Sequence, residues 1–176
     1  MVAGIARLAL VVSDLHDVSA PIETASREAT SVAAIIGAAR EALEDLGATN
    51  RFDLELSDDA PEVPGDPAAL TRAFTHVMRI AAAGAGTEPV DVTVRALHDG
   101  DHVRIEVSDN GEPLPRGVAA TLFDPFGQPR GRGMIVGAGV SGVVAARVIA
   151  AHRGTITADE ALPHGLTMTI RLPVAA

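Results

Sequence analysis

The chain contains no cysteine, tryptophan, tyrosine or lysine, and its aromatic residues are four phenylalanines. Without cysteine, it can hold neither a disulfide framework nor a thiolate zinc site. No apolar run approaches the roughly 20 residues of a membrane span, and Leu8–Val12 is too short for the core of a signal peptide. We therefore expect a cytoplasmic protein with no membrane segment in this chain.

All 14 basic residues are arginines, and they are outnumbered by 23 acidic residues, which gives a formal net charge of −9. The arginines are scattered along the chain, whereas binding to nucleic acid requires a clustered basic face. Nucleic acid is therefore not expected as the main partner. The apolar content of 47% and the length of 176 residues indicate one globular domain, with room for a short appendage.

Hydrophobic periodicity divides the chain into helices and strands. Four segments with apolar residues at helical spacing are predicted to be helices: 2–19, 32–46, 67–83 and 140–152. Alternating apolar and polar residues predict strands at 51–57 and in two hairpins, 90–107 and 155–172. The Pro-rich acidic stretch 58–65 is predicted to be a loop, and 22–30 to hold at most an edge strand.

Strands that alternate cleanly have one packed face and one face in water. The amphipathic helices can cover the packed face, so we predict a two-layer α/β sandwich built on a mixed sheet. The helix 67–83 has the clearest start, because Asp66 is a suitable N-cap and Pro67 suits the first helical position.

Three places could carry chemistry. Asp109-Asn110-Gly111 ends a predicted strand, where a carboxylate can accept a hydrogen bond from a ligand and glycine permits close approach, although a simple turn uses the same residues. Gly137-Ala138-Gly139 precedes a helix whose first amides could attract phosphate, or it is only a helix entry. His76 and Ile80 lie one turn apart beside an apolar stripe, where a helix can face a ligand.

In order, these motifs resemble the ATP-binding domain of sensor histidine kinases, which have the Bergerat-type fold shared with gyrase and mismatch-repair ATPases. The resemblance runs from about Ala6 to Pro173 and is strongest over Asp109–Phe126, where Asp-Asn-Gly, Leu-Pro and Leu-Phe-Asp-Pro-Phe fall at the family's spacing. Gly65-Asp66-Pro67 resembles the start of the family's asparagine-box helix, and Ala151–Gly154 the end of its last helix.

The resemblance implies a site for ATP. The residue matching Asp109 holds the adenine amino group in the family, and the one matching Gly111 shapes that pocket. The second glycine box falls at Gly139 and Ser141, or at Gly137 and Gly139 in an alternative register. The loop before the last helix would then cover the phosphates.

The chain departs from the family at the metal site. Ile80 stands where the family has the asparagine that ligates Mg²⁺, and isoleucine offers no oxygen. His76 stands where an asparagine or acid orients water, which makes it a candidate catalytic residue. The family's lysine and aromatic residue are replaced by Ala83 and Gly84. We therefore expect no metal site and a degenerate nucleotide site.

The phosphates would rely on Arg130, Arg132 and loop amides, so ATP binding is expected to be weak. Efficient phosphoryl transfer needs metal-assisted charge stabilisation and is not expected. Whether the chain is an enzyme stays open at this point.

The N-terminal segment allows two alignments. His16–Ile22 resembles the family's phosphoacceptor box, whereas Asp14–Ser19 resembles the end of the second helix of the dimerisation hairpin. The stretch from His16 to Asp66 is too short for the rest of a hairpin, which favours the second alignment and leaves His16 a weaker candidate acceptor. We predict an N-terminal helix over 1–21, with a homodimer through its apolar stripe, and the ATP-binding domain over 22–176.

These expectations lead to a histidine-kinase-like ATP-binding domain of two-component signal transduction with a degenerate nucleotide and Mg²⁺ site. Its partner would be a response regulator or another region of the kinase. One alternative is a non-catalytic pseudokinase scaffold or histidine phosphotransferase that docks a response regulator. A further alternative is another ATPase of the superfamily or an anti-sigma serine kinase, which Ile80 and the missing lysines make the least favoured.

Overall fold

A computed structural model describes residues 28–45, 50–56, 61–84, 89–124, 138–161 and 164–175. The predicted helix 1–21 and His16 lie outside these ranges, so the domain boundary and the dimer stay predictions. In chain order, the elements are β1 (Ala29–Ser31), α1 (Val32–Asp45), β2 (Arg51–Leu56), β3 (Glu62–Pro64), α2 (Pro67–Ala82), β4 (Asp91–Asp99), β5 (His102–Asp109), α3 (Val118–Thr121), α4 (Ala138–Ala151), β6 (Thr155–Glu160) and β7 (Leu166–Pro173).

Within the described ranges, five strands form a mixed sheet in the order β2-β4-β5-β7-β6. The β2–β4 pair is parallel and the other pairs are antiparallel. The inward residues of β4 and β5 alternate with polar ones and are buried: Val92, Val94, Ala96, Val103, Ile105 and Val107. The described helices α1 and α2 pack against each other, and α2 also contacts α4 and the sheet. The predicted two-layer α/β sandwich is confirmed.

The outward face of the sheet is polar and carries a cross-strand ion pair. Glu55 on β2 lies opposite Arg95 on β4, and the Arg95 Nε donates to Glu55 Oε2 at 2.6 Å. This hydrogen bond lowers the pKa of Glu55 below its ordinary value. The pair therefore adds its stabilisation above the carboxyl's ordinary pKa and loses it as the pH falls through the lowered value. Both groups are exposed, so the contribution is small.

The helix α2 begins where the sequence predicts. The Asp66 side chain accepts hydrogen bonds from the backbone N–H groups of Ala68 and Ala69, at 2.8 and 3.2 Å, and Pro67 occupies the first turn. The apolar stripe of this helix is buried, with Phe74 among the largest fully buried side chains. The helix α4 begins at Ala138, two residues before its predicted start.

The prediction of a loop over 58–65 is wrong for Glu62–Pro64, which form β3 and pair antiparallel with β1. The pair is extended at both ends by backbone hydrogen bonds, from Gly65 N–H to the Glu28 carbonyl and from Val32 N–H to the Pro61 carbonyl. A three-residue strand held by main-chain bonds shows no hydrophobic alternation, which is why the sequence pattern missed β3. The strand β1 overlaps the end of the edge strand allowed over 22–30.

His152 joins the end of α4 to the start of α2. Its Nε2 accepts from the backbone N–H of Asp66 at 3.1 Å, and its Nδ1 lies 2.8 Å from the Val148 carbonyl oxygen. Because a carbonyl oxygen only accepts, the proton sits on Nδ1 and the ring is neutral. A β-carbon at Gly65 would lie 2.3 Å from His152 Cδ2, so glycine is needed for this contact.

Replacing His152 with alanine should lower the free energy of unfolding by about 2–3 kcal/mol, because it leaves a cavity and removes the acceptor of the Asp66 N–H. Urea denaturation would measure the change. The matched variant His98→Ala removes an exposed histidine from β4 and should change stability by about 0.5 kcal/mol or less. If the two variants lose the same free energy of unfolding, His152 does not stabilise the fold by joining α4 to α2.

Candidate functional site

Asp109 is the last residue of β5 and is only 5% exposed. It pairs with Val92 of β4 on one side and Leu166 of β7 on the other, so its backbone is fixed inside the sheet. Its Oδ1 accepts a hydrogen bond from the Gly111 N–H at 2.8 Å. The strand end therefore presents a buried carboxylate whose Oδ1 is oriented by this bond. The position of Asp109 at a strand end is as the sequence motif predicts.

Gly111 brings the segment after β5 against the end of α2. A β-carbon at Gly111 would lie 2.4 Å from the Gly84 carbonyl oxygen, and the next residue, Glu112, donates its N–H to that oxygen at 2.9 Å. The close approach predicted at this glycine is thus made by the chain's own backbone. It ties the end of α2 to the carboxylate of Asp109.

Gly165, which lies directly before β7, also packs against Asp109. Its φ is +101°, outside the range that residues with side chains prefer, and a β-carbon there would lie 1.9 Å from the Asp109 carbonyl oxygen. Asp109 is therefore flanked by two close backbone contacts, at Gly111 and Gly165, that only glycine can make.

The second part of the site lies between α2 and α4. His76 and Ile80 are each 3% exposed and Ser141 is 1% exposed. The Arg79 Nη2 lies 2.8 Å from His76 Nδ1 and donates to Ser141 Oγ at 2.7 Å. Because a guanidinium only donates, His76 Nδ1 must accept, so the imidazole is neutral in this contact.

Arg79 belongs to none of the motifs that point to chemistry in the sequence. Its position three residues after His76 places the two side chains together on one helix face, and that spacing is the signal that could have identified it. The contact with Ser141, 62 positions away, has no comparable signal in the sequence.

The residues at the metal position do not fit Mg²⁺. Ile80 is buried and provides no oxygen ligand. In the part of the chain that the structure describes, no three or more His, Asp or Glu side chains come together in a way that could hold a metal ion. Asp109, by contrast, fits the amino group of an adenine.

The first turn of α4 contains Gly139 and Ser141. A β-carbon at Gly142 would lie 1.9 Å from the Leu122 carbonyl oxygen, so this turn rests on the backbone that follows α3. Gly137, Arg130 and Arg132 fall outside the described residues, so their predicted role is neither supported nor contradicted.

The comparisons with known proteins agree with this fold. Residues 65–176 match the model of the family described as histidine kinase-, DNA gyrase B- and HSP90-like ATPases. The sensor protein KdpD of Escherichia coli is 26% identical over 139 residues, which cover 79% of this chain and 15% of KdpD. The chain therefore spans a small part of this relative.

Two solved structures show the same fold. The mycobacterial sensor histidine kinase MprB superposes with a TM-score of 0.73 at 24% identity, covering 84% of this chain and 98% of that chain. ShkA, solved at full length in complex with AMPPNP, superposes with a TM-score of 0.69 at 21% identity, covering 97% of this chain and 36% of that chain.

The chain belongs to the family of histidine kinase-, DNA gyrase B- and HSP90-like ATPases. Its resemblance to the ATP-binding domain of sensor histidine kinases is confirmed. Among the described helices, none combines the length and the apolar character needed to cross a membrane.

Proposed function

We propose that the chain is the nucleotide-binding domain of a two-component signalling protein, and that its site binds adenine nucleotides weakly and without Mg²⁺. The observation that carries this proposal is the buried carboxylate of Asp109, oriented by the Gly111 N–H at 2.8 Å. A carboxylate only accepts hydrogen bonds, so it suits the amino group of adenine and disfavours a carbonyl at the same place. The AMPPNP complex of ShkA supports this ligand class.

The residues at the metal position support the proposal that the nucleotide site is degenerate. Phosphoryl transfer depends on metal ions that neutralise the charge on the phosphates, and the buried Ile80 cannot ligate one. His76 is the candidate catalytic residue by its position in the sequence. Its Nδ1 accepts from Arg79 and its side chain is buried, which favours a packing and orienting role over proton transfer.

These features favour a non-catalytic scaffold within two-component signalling over an efficient kinase. Such a scaffold would act through a response regulator or another kinase region, and as a homodimer through residues 1–21. If His16 is a phosphoacceptor, the chain would be more than a scaffold. A phosphorylated histidine could relay phosphate that another protein supplies.

Calorimetric titration of ATP, with Mg²⁺ and then with EDTA, tests the proposal. The wild-type chain should bind weakly, with the same affinity in both buffers. Ile80→Asn, which restores an oxygen at the metal position, should make binding tighter in Mg²⁺ only, by about tenfold.

Ile80→Val is the matched control, because it keeps an apolar side chain and should gain nothing in Mg²⁺. Thermal melts would show that each variant is folded. Tight binding by the wild-type chain that disappears in EDTA would contradict the degenerate site. Failure to bind any adenine nucleotide in either buffer would contradict nucleotide binding itself.

A further inference from the structure

Asn110, the residue directly after Asp109, is bonded to the first residue of β4. Its backbone N–H donates to the Asp91 carbonyl oxygen at 3.3 Å, and its side-chain Oδ1 accepts from the Asp91 N–H at 2.9 Å. Its Nδ2 donates to Asp91 Oδ2 at 3.3 Å. A backbone N–H only donates, so the amide oxygen must face it, which settles the orientation of the side chain. Asn110 therefore continues the pairing of β5 with β4 by one residue beyond Asp109.

Asp91, to which Asn110 is bonded, is itself held by the sheet. It pairs with Arg51 in the parallel register of β2 and β4, and its Oδ1 lies 3.3 Å from Arg51 Nη1. One carboxylate oxygen of Asp91 thus meets Arg51 and the other meets Asn110. The turn after β5 is therefore fastened to two strands that precede it in the sheet order.

The same turn is bound at its other end to α2. The Glu112 N–H donates to the Gly84 carbonyl oxygen at 2.9 Å. Between the two attachments lies Gly111, whose N–H donates to Asp109 Oδ1 at 2.8 Å. A peptide group is planar, so the direction of this N–H follows from where Asn110 and Glu112 are held. Fixing both neighbours aims the Gly111 N–H at the Asp109 carboxylate.

The side chain of Asn110 contributes more to the position of the turn than to the stability of the fold. Asn110 is exposed and the Asp91 side chain is 52% exposed, so water can replace their hydrogen bonds at little cost. An amide suits this place because it accepts from the Asp91 N–H and donates to the Asp91 carboxylate at once. An aspartate would set two like charges against each other.

We propose that Asn110 is a positioning residue for base recognition, which holds the turn against Asp91 so that the Asp109 carboxylate faces the amino group of adenine. Asp91 engages both ends of the Asn110 amide, so Asn110 acts through Asp109 and not by touching the nucleotide. The inference rests on the adenine site proposed at Asp109. It adds the residue that makes this site prefer adenine to a purine with a carbonyl in place of the amino group.

Calorimetric titration of ADP and of inosine diphosphate, both in EDTA, tests this role. The wild-type chain should prefer ADP. Asn110→Asp keeps the size of the side chain and the acceptor for the Asp91 N–H, but places its second oxygen against Asp91 Oδ2. It should weaken ADP binding by about fivefold and leave inosine diphosphate nearly unchanged, so the preference for ADP falls.

A second substitution at Asp91 should rescue this variant. In Asn110→Asp combined with Asp91→Asn, the amide and the carboxylate have changed places, so the hydrogen bond between the side chains can form again. The preference for ADP should return to within about twofold of the wild-type value. Asp91→Asn alone keeps an oxygen that accepts from the Asn110 amide and should bind both nucleotides like the wild-type chain.

Asn50→Asp is the matched control, because Asn50 Oδ1 also accepts from a backbone N–H beside the start of β4, that of Val90, at 3.1 Å. This variant should keep the wild-type preference for ADP. Urea denaturation of every variant separates the two kinds of effect. A merely structural role of Asn110 would lower the free energy of unfolding without changing the ratio of ADP to inosine diphosphate affinity.

Four outcomes would overturn the inference. An unchanged ratio in folded Asn110→Asp, together with a lower ratio in Asp109→Asn, would remove Asn110 from base recognition and leave the role of Asp109 intact. A loss that Asp91→Asn does not rescue would show that the pairing with Asp91 is not the cause. An equal loss in Asn50→Asp would mean that any loosening near β4 has this effect. Absence of ADP binding by the wild-type chain would overturn the proposed function as well.

Discussion

Replacing Gly165 with alanine should lower the free energy of unfolding by about 2–5 kcal/mol. A φ of +101° is strained for any residue with a side chain, which accounts for about 1–2 kcal/mol. The added methyl would also lie 1.9 Å from the Asp109 carbonyl oxygen, so the backbone must shift at a further cost of about 1–3 kcal/mol. Urea denaturation monitored by circular dichroism would measure the sum.

Gly117→Ala is the matched control for this experiment. Gly117 has a similar φ of +83°, but a β-carbon there meets nothing within 4 Å. Its substitution should therefore cost only about 1 kcal/mol, from backbone strain alone. If the two alanine variants lose the same free energy of unfolding, the close contact between Gly165 and the end of β5 adds nothing to the destabilisation.

Replacing Asp109 with asparagine should weaken ADP binding by about 10–100-fold, because the ligand loses a hydrogen bond to a charged, buried acceptor. The amide keeps an oxygen that can accept from the Gly111 N–H, so the strand end should stay intact. The same substitution should relax base selectivity, since the amide can donate to a carbonyl where the carboxylate cannot. Calorimetric titration of ADP and of inosine diphosphate would measure both effects.

The control for Asp109 is Asp101→Asn, which removes an exposed carboxylate from the turn between β4 and β5. It should bind ADP like the wild-type chain. Equal binding of ADP and inosine diphosphate by the wild-type chain would show that this carboxylate does not select the base. A melting temperature that falls strongly in Asp109→Asn would point to a structural role instead.

Local chemistry made much of this site predictable. Asp66 and Pro67 specify where α2 begins, through a cap and a fixed φ, and the apolar stripe specifies which face is buried. Asp109 and Gly111 could be identified because a carboxylate, a turn and a strand end occur together within three residues. These signals depend on neighbouring residues, so one sequence is sufficient to read them.

The features that escaped prediction depend on contacts between distant parts of the chain. The pairing of β1 with β3 uses main-chain hydrogen bonds, which leave no trace in side-chain type. Arg79 meets Ser141 only because α2 packs against α4. The same packing buries His76 and Ile80, which periodicity alone placed at the edge of the stripe.

The placement of β7 has a consequence for how the molecule is made. This strand lies between β5 and β6, so β5 has an unpaired edge until synthesis has passed Pro173. Asp109 pairs with Leu166 of the same strand, which means that the adenine end of the site is assembled late as well. A nascent chain that already contains β4 and β5 should therefore be exposed to aggregation and chaperone capture before it can bind any nucleotide.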